Sequence, residues 1–193
     1  MAKLLFHVLT GSENHIKFCI TILMVTAVLV IFGSNPNNSS VDTASAQSSP
    51  EMSFFVSSAK SKAGNLGGLA AADRVCHNLA SAVGLGNKTW RAYLSVERDP
   101  DTNKPTDARS RIGNGPWFNA KGVMVAKDLT ELHSRKGEAT LFLDETGQPV
   151  PGNWPNSPRP NEHDILTGST SEGRVLPGKT CNDWTSYAAD MQA

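Results

Sequence analysis

The chain reads as an α+β domain behind an N-terminal targeting segment, on three observations. Residues 68–83 repeat apolar side chains at three- and four-residue steps, which is one face of a helix. Trp90 to Ser95 instead alternates with the two-residue period of a strand. Glycine and proline, 16 and 11 in 193 residues, divide the remainder into turns and loops. One main helix, short and mostly antiparallel strands, and long loops together make α+β.

The first 46 residues stand apart. Positions 18–33 (FCITILMVTAVLVIFG) carry no charge, and Lys3 and Lys17 precede them. The run falls short of the roughly 20 residues that span a bilayer comfortably and fits the long end of a signal-peptide core. Ala44-Ser45-Ala46 before Gln47 has the small-x-small form of a cleavage site. The long leader ahead of the run, and the polar stretch behind it, suit a retained anchor instead. A buried core helix is the third reading. Under the first two the lysines hold the N-terminus inside, and the rest of the chain is extracytoplasmic: secreted, periplasmic or anchored at the cell surface. Residues 1–46 are then a signal peptide or N-terminal membrane anchor, 47–52 a linker and 53–193 the domain. The Ser/Asn/Pro-rich stretch 34–50 reads as an unstructured spacer.

Within the domain, Phe54, Phe55 and Val56 form a buried opening strand. Gly67-Gly68 breaks the chain, because adjacent glycines tolerate the positive φ of a tight turn. Leu69, Ala72, Val75, Cys76, Leu79 and Val83 mark the helix face, with Leu69, Val75 and Leu79 expected over the sheet. Gly84 stands where a left-handed terminator belongs. Trp90, Ala92 and Leu94 face inward from the next strand, opposite Arg91, Tyr93 and Ser95. A surface loop covers 96–111. Trp117-Phe118 and Val123 to Val125 flank Asn119-Ala-Lys-Gly122 as a hairpin with glycine at its left-handed position. Residues 128–133 suit a helical turn and a half, and 140–143 a short strand. Five prolines between 147 and 160 keep that segment irregular. Ile165-Leu166 and 180–184 supply the last expected strands.

Charge excludes more than it identifies. The 18 basic and 18 acidic residues cancel. Removing Lys3, Lys17, Glu13 and Asp42 with the leader leaves the balance unchanged, so no one-sided basic field for nucleic acid or an anionic bilayer arises. Membrane contact would come through the N-terminal segment alone. Gly84-Leu-Gly-Asn-Lys88-Thr89 has Asn87 where a phosphate-binding loop needs glycine, and the helix precedes it; helix stop and strand start explain it. His7, His15, His77, His133 and His163 lack metal-ligand spacing. Pro160-Asn161-Glu162 and Asn182-Asp183-Trp184 contain the letters of lectin calcium triplets in the wrong order, far short of the about six to eight oxygens a calcium ion takes. His163 and Asp164 read as a strand-start pair. No cofactor and no catalytic set is expected. Cys76 and Cys181 remain in the domain once Cys19 is assigned to the leader, and in an oxidising compartment two cysteines suggest one disulfide.

Two blocks carry a family resemblance: SFFVSSAKSKAGNLGGLAAADRVCHNLASAVGLGNKTWRAYLS at 53–95, and NEHDILTGSTSEGRVLPGKTCNDWTS at 161–186. Together they resemble the endostatin-like branch of the C-type-lectin-like fold, known from collagen-derived endostatins and secreted bacterial relatives. The likeness covers most of 54–186, specific at its two ends and vague between 96 and 159. It implies that Cys76 and Cys181 belong to two different bridges whose partners lie beyond Ala193, and that the closing strands of the fold are missing. Endostatin zinc is held by N-terminal histidines, which this domain lacks. The function implied is a non-catalytic binding module that takes protein or glycan ligands on its loops. Its rivals are a metal-dependent carbohydrate binder or periplasmic enzyme completed by C-terminal residues, and a truncated product without function.

Overall fold

The structure is a computed structural model that describes residues 2–9, 51–61, 63–135, 138, 140–152 and 165–188. The apolar run at 18–33, Cys19, the triplet 44–46, the spacer 34–50 and the stretch 160–164 lie outside the described residues. Elements follow the order β1 (Ala2–Leu9), β2 (Phe54–Ser61), α1 (Gly68–Ala82), β3 (Thr89–Ala92), a 3-10 turn (Ala108–Arg111), β4 (Trp117–Phe118), β5 (Met124–Ala126), α2 (Leu129–Ser134) and α3 (Cys181–Trp184). This is a mixed helix and strand fold, α+β as the periodicities predict.

The larger sheet has the order β2-β1-β3. Its central strand comes from the part of the chain that the sequence assigns to the leader. β1 runs antiparallel to both neighbours, with Leu5 opposite Val56, Phe6 opposite Phe55 and Ala92, and Val8 opposite Trp90. β4 and β5 form the expected hairpin, with Gly122 at φ 70.

β2 is the partition of the core. Successive side chains on a strand point to opposite faces, so Phe55 enters one apolar cluster with Leu69, Cys76, Trp90 and Trp184. Phe54 and Val56 enter the other with Tyr93, Ile112, Trp117 and Val125. Phe54, Phe55 and Val56 are each fully buried, which stabilises by about 1.5–3 kcal/mol per side chain. Phe55 also stacks obliquely on Trp90 at 5.0 Å between ring centroids.

α1 begins and ends as its glycines predict. Gly67 and Gly68 both have φ +76, and the Gly67 N–H donates to Asn65 Oδ1 at 2.8 Å. At the other end Gly84 has φ +83; its N–H donates to Ser81 O, and that of Leu85 to Ala80 O. This paired arrangement around a left-handed glycine caps the last carbonyls. The buried stripe is Leu69, Ala72, Asp73, Cys76 and Ala80. Leu79 packs against its edge. Val75, expected on that stripe, is 38% exposed. The face is rotated toward Asp73, because an ion pair fixes that carboxylate beneath β3.

Other expectations change as well. Tyr93 and Ser95 are buried along with Trp90, Ala92 and Leu94. The half-exposed pattern fails because α1 packs on one side of this segment and the second apolar cluster on the other. The strand expected at 140–143 reduces to one bridge between Leu143 and Pro149, while Leu143 O accepts from Val56 N. Residues 180–184 are not extended. Cys181 to Trp184 form a left-handed helical turn, with φ from 49 to 66 at all four. Alternating letters could not reveal this, since the conformation is imposed by contacts to distant backbone.

Candidate functional site

An open groove of about 870 Å³ lies between α1, the start of β3 and the loop through Asp99 to Arg111. Its floor is an ion cluster. Arg91 Nη1 lies 2.7 Å from Asp73 Oδ2, and Arg111 Nη2 reaches Oδ1 at 3.0 Å and Oδ2 at 2.9 Å. Asp73 Oδ1 also accepts the Ala92 N–H at 2.8 Å, and Arg111 Nη1 donates to Ala92 O. One carboxylate therefore ties helix, strand and loop together. Asp99 holds its own loop by accepting from Asp101 N and Thr106 Oγ1. At one rim Lys88 pairs with Glu51 at 2.7 Å and donates to Met52 O.

Exposed Arg74, His77 and Asp101 complete the lining. Cationic and anionic groups alternate there over a preformed floor. Such a surface can match hydrogen-bonding groups of a ligand without bringing a nucleophile against a base.

A second, smaller concavity of about 600 Å³ is polar and is lined by Glu97, Arg98, Gly178, Thr180, Asn182 and Asp183. Here the end of the first sequence block, and the two residues 97 and 98 just beyond it, meet the second block. The Asp183 carboxylate accepts Glu97 N at 2.7 Å and Arg98 N at 3.1 Å. Glu97 Oε1 in turn accepts Gly178 N at 2.8 Å. The Trp184 indole donates to Ser95 O at 2.8 Å, and Leu66 N donates to Trp184 O at 2.8 Å. Left-handed residues cost roughly 1–2 kcal/mol each, less for Asn and Asp. These hydrogen bonds and the burial of Trp184 hold α3 in that state. Strain persists where the surroundings over-determine it.

A third cluster lies on the far side of β2. The Tyr93 hydroxyl lies 2.7 Å from His133 Nε2, and His133 Nδ1 donates to Leu129 O at 2.6 Å. Since the carbonyl can only accept, the second bond places a proton on Nδ1, and in the singly protonated ring Nε2 accepts from the Tyr93 hydroxyl. Burial pushes the Tyr93 hydroxyl up to about 12, with Arg109 lowering it and Asp107 raising it. Gly173 covers the pair so closely that a Cβ there would lie 2.4 Å from both polar atoms.

Of the residues singled out from sequence, Cys76 and Cys181 are buried in one apolar cluster. The Cys76 thiol donates to Ala72 O at 3.0 Å, and burial raises it far above the ordinary thiol range. Cys181 lies against Gly64, and burial raises its thiol too. His77 faces the groove and His133 faces Tyr93, so the structure keeps these two apart. Among the described residues, no group of three or more His, Cys, Asp or Glu side chains converges to hold a metal ion. No helix among them is long and apolar enough to cross a membrane.

Sequence reading missed Asp73, although an acid on an otherwise apolar helical stripe is a legible signal. It also missed Tyr93–His133, which carries no local signal because 40 residues separate the pair. No protein-family model matches the chain, and no curated protein does.

Proposed function

We propose that the domain is a non-catalytic extracytoplasmic binding module of the endostatin-like, C-type-lectin-like kind, which takes protein or glycan ligands on its loops. The carrying observation is that the loops around the two concavities are irregular in path yet tied down, by Asp73 and Asp99 at the groove and by Glu97 and Asp183 at the smaller one. Pre-ordered loops lose little conformational entropy on binding, which favours recognition. The docking of the two family blocks through Trp184, Ser95 and Leu66 supports the lectin-like reading. The apolar run ahead of Ala44-Ser45-Ala46 supports export.

A glycan array and a panel of extracellular matrix proteins, each with and without calcium, test the ligand class. Arg74→Glu or Asp101→Lys should weaken a true groove ligand at least tenfold, while Val123→Glu on the distant hairpin leaves it unchanged. Equal loss in all three variants would sink the groove assignment. Calcium-dependent glycan binding would favour a metal-dependent carbohydrate binder. Export predicts that N-terminal sequencing of extracytoplasmic protein begins at Gln47; full-length protein free in the cytoplasm overturns it.

A further inference from the structure

The position of β1 has a consequence for binding. Neither β2 nor β3 pairs with the other; each pairs with β1, and both run antiparallel to it. With neighbouring strands about 4.7–4.9 Å apart, β2 and β3 flank a slot one strand wide. Its walls are built without β1. On the β2 side, Ser53 N donates to Phe118 O at 2.8 Å, Val56 N to Leu143 O at 2.9 Å, and Ser58 N to the buried Glu145 at 3.0 Å. On the β3 side, Asp73 holds Ala92 N and Arg91, and the Trp90 indole donates to Leu85 O at 2.9 Å.

The sequence of the occupant suits a place between two buried strands. Ala2–Leu9 reads AKLLFHVL, apolar almost without alternation from Leu4 onward, the pattern of a strand buried on both sides. Its neighbours Phe54, Phe55, Val56, Trp90 and Ala92 are at most 2% exposed. Ala2–Leu9 also lies ahead of the predicted cleavage site at Ala46, so removing the leader would withdraw the strand and leave two unsatisfied edges facing each other. Exposed edges recruit strands, and adding a strand is an established mode of peptide recognition.

We propose that the gap between β2 and β3 is a strand-acceptor site. Before export Ala2–Leu9 occupies it; once the domain is outside and residues 2–9 stay inside or leave with the leader, it binds a partner's extended, continuously apolar segment of about eight residues, antiparallel to both walls. The physiological event rests on the export reading, whereas acceptance of a strand is a property of the sheet.

The test uses the full chain in detergent, with a specific protease site introduced after Ala46. The probe is a fluorescent synthetic peptide, MAKLLFHVLT. After cleavage and displacement of the leader, the probe should bind and restore amide protection at Phe55 and Arg91, whose N–H groups alternate with the outward-bonded ones of Val56 and Ala92. A Phe6→Pro peptide should bind at least tenfold more weakly, because proline removes a central N–H. The uncleaved chain should also bind at least tenfold more weakly, since its own strand competes at high effective concentration. In the uncleaved chain, Lys3→Cys with Lys60→Cys, opposite each other in the register, should cross-link through a short thiol reagent.

The proposal is overturned if the cleaved protein, freed of its leader, keeps its native circular dichroism and ignores the probe, if the Phe6→Pro peptide binds equally, or if the cysteine pair stays unlinked. A cleaved protein that dimerises until the peptide is added would overturn the partner's strand in favour of a second copy. None of these readouts depends on export or on a groove ligand, so failure here is distinguishable from failure of the proposed function.

Discussion

Asp73 shows how much of this fold depends on one side chain. Its side chain, 11% exposed, receives Arg91, Arg111 and the Ala92 N–H. Asp73→Ala would leave the mostly buried Arg111 guanidinium unpaired, and losing one partner of a buried pair costs about 3–5 kcal/mol. Urea unfolding should therefore show a large drop in midpoint, and a loss below about 0.5 kcal/mol, typical of surface positions, would show that the cluster is solvated. Tyr93 makes a second residue-scale prediction. Burial raises its folded value from 10.0 to about 12. The folded state thus holds the proton more tightly than the unfolded chain, and this contribution is complete below pH 10. Stability should fall as pH rises from about 10 to about 12, and Tyr93→Phe should remove that part of the slope. An unchanged slope in the variant would mean that the hydroxyl is not sequestered.

At the scale of elements, α3 is the unusual one, since four consecutive non-glycine residues adopt a left-handed conformation. Its residues divide into those that suffer the strain and those that hold it in place. Asn182 is exposed and, among the described residues, its side chain bonds within its own turn, to Thr185 Oγ1 at 2.9 Å. Asn182→Gly should be neutral or stabilising by up to about 1 kcal/mol, as the penalty of a side chain in this region disappears. Asp183→Gly relieves the same strain but frees the Glu97 and Arg98 amides. Hydrogen bonds to a charged group contribute about 1.5–3 kcal/mol, so this variant should be destabilised. Calorimetric melting of the two variants separates the effects; a matched shift in the same direction would mean that the carboxylate does not hold the turn.

Across the whole molecule, the two apolar clusters share β2, with Phe55 on one face and Phe54 and Val56 on the other. Unfolding should accordingly be one cooperative event. Trp90 and Trp184 report on the first cluster and Trp117 on the second. Val56→Ala, made in the second cluster, should lower the midpoint seen by all three tryptophans equally, by an amount typical of a buried truncation. Single-tryptophan variants followed by fluorescence would reveal separate transitions if the clusters were independent.

Local chemistry wrote much of this into the chain. The helix, its glycine terminators, the 117–126 hairpin and the Asp128-capped turn all follow from spacing, from residues that permit positive φ and from side chains that bond within a few positions. These are interactions between near neighbours, so the sequence by itself determined them. The rest was decided by partners distant along the chain. Asp73 is drawn inward and Val75 left outside by arginines at 91 and 111. Cys181 to Trp184 turn left-handed because Glu97, Arg98 and Ser95 need their groups there. The central strand comes from residues 2–9 because β2 and β3 leave a gap that an extended apolar segment can fill. Periodicity records which face of an element is apolar, but the identity of what covers that face exists only once the chain has closed on itself.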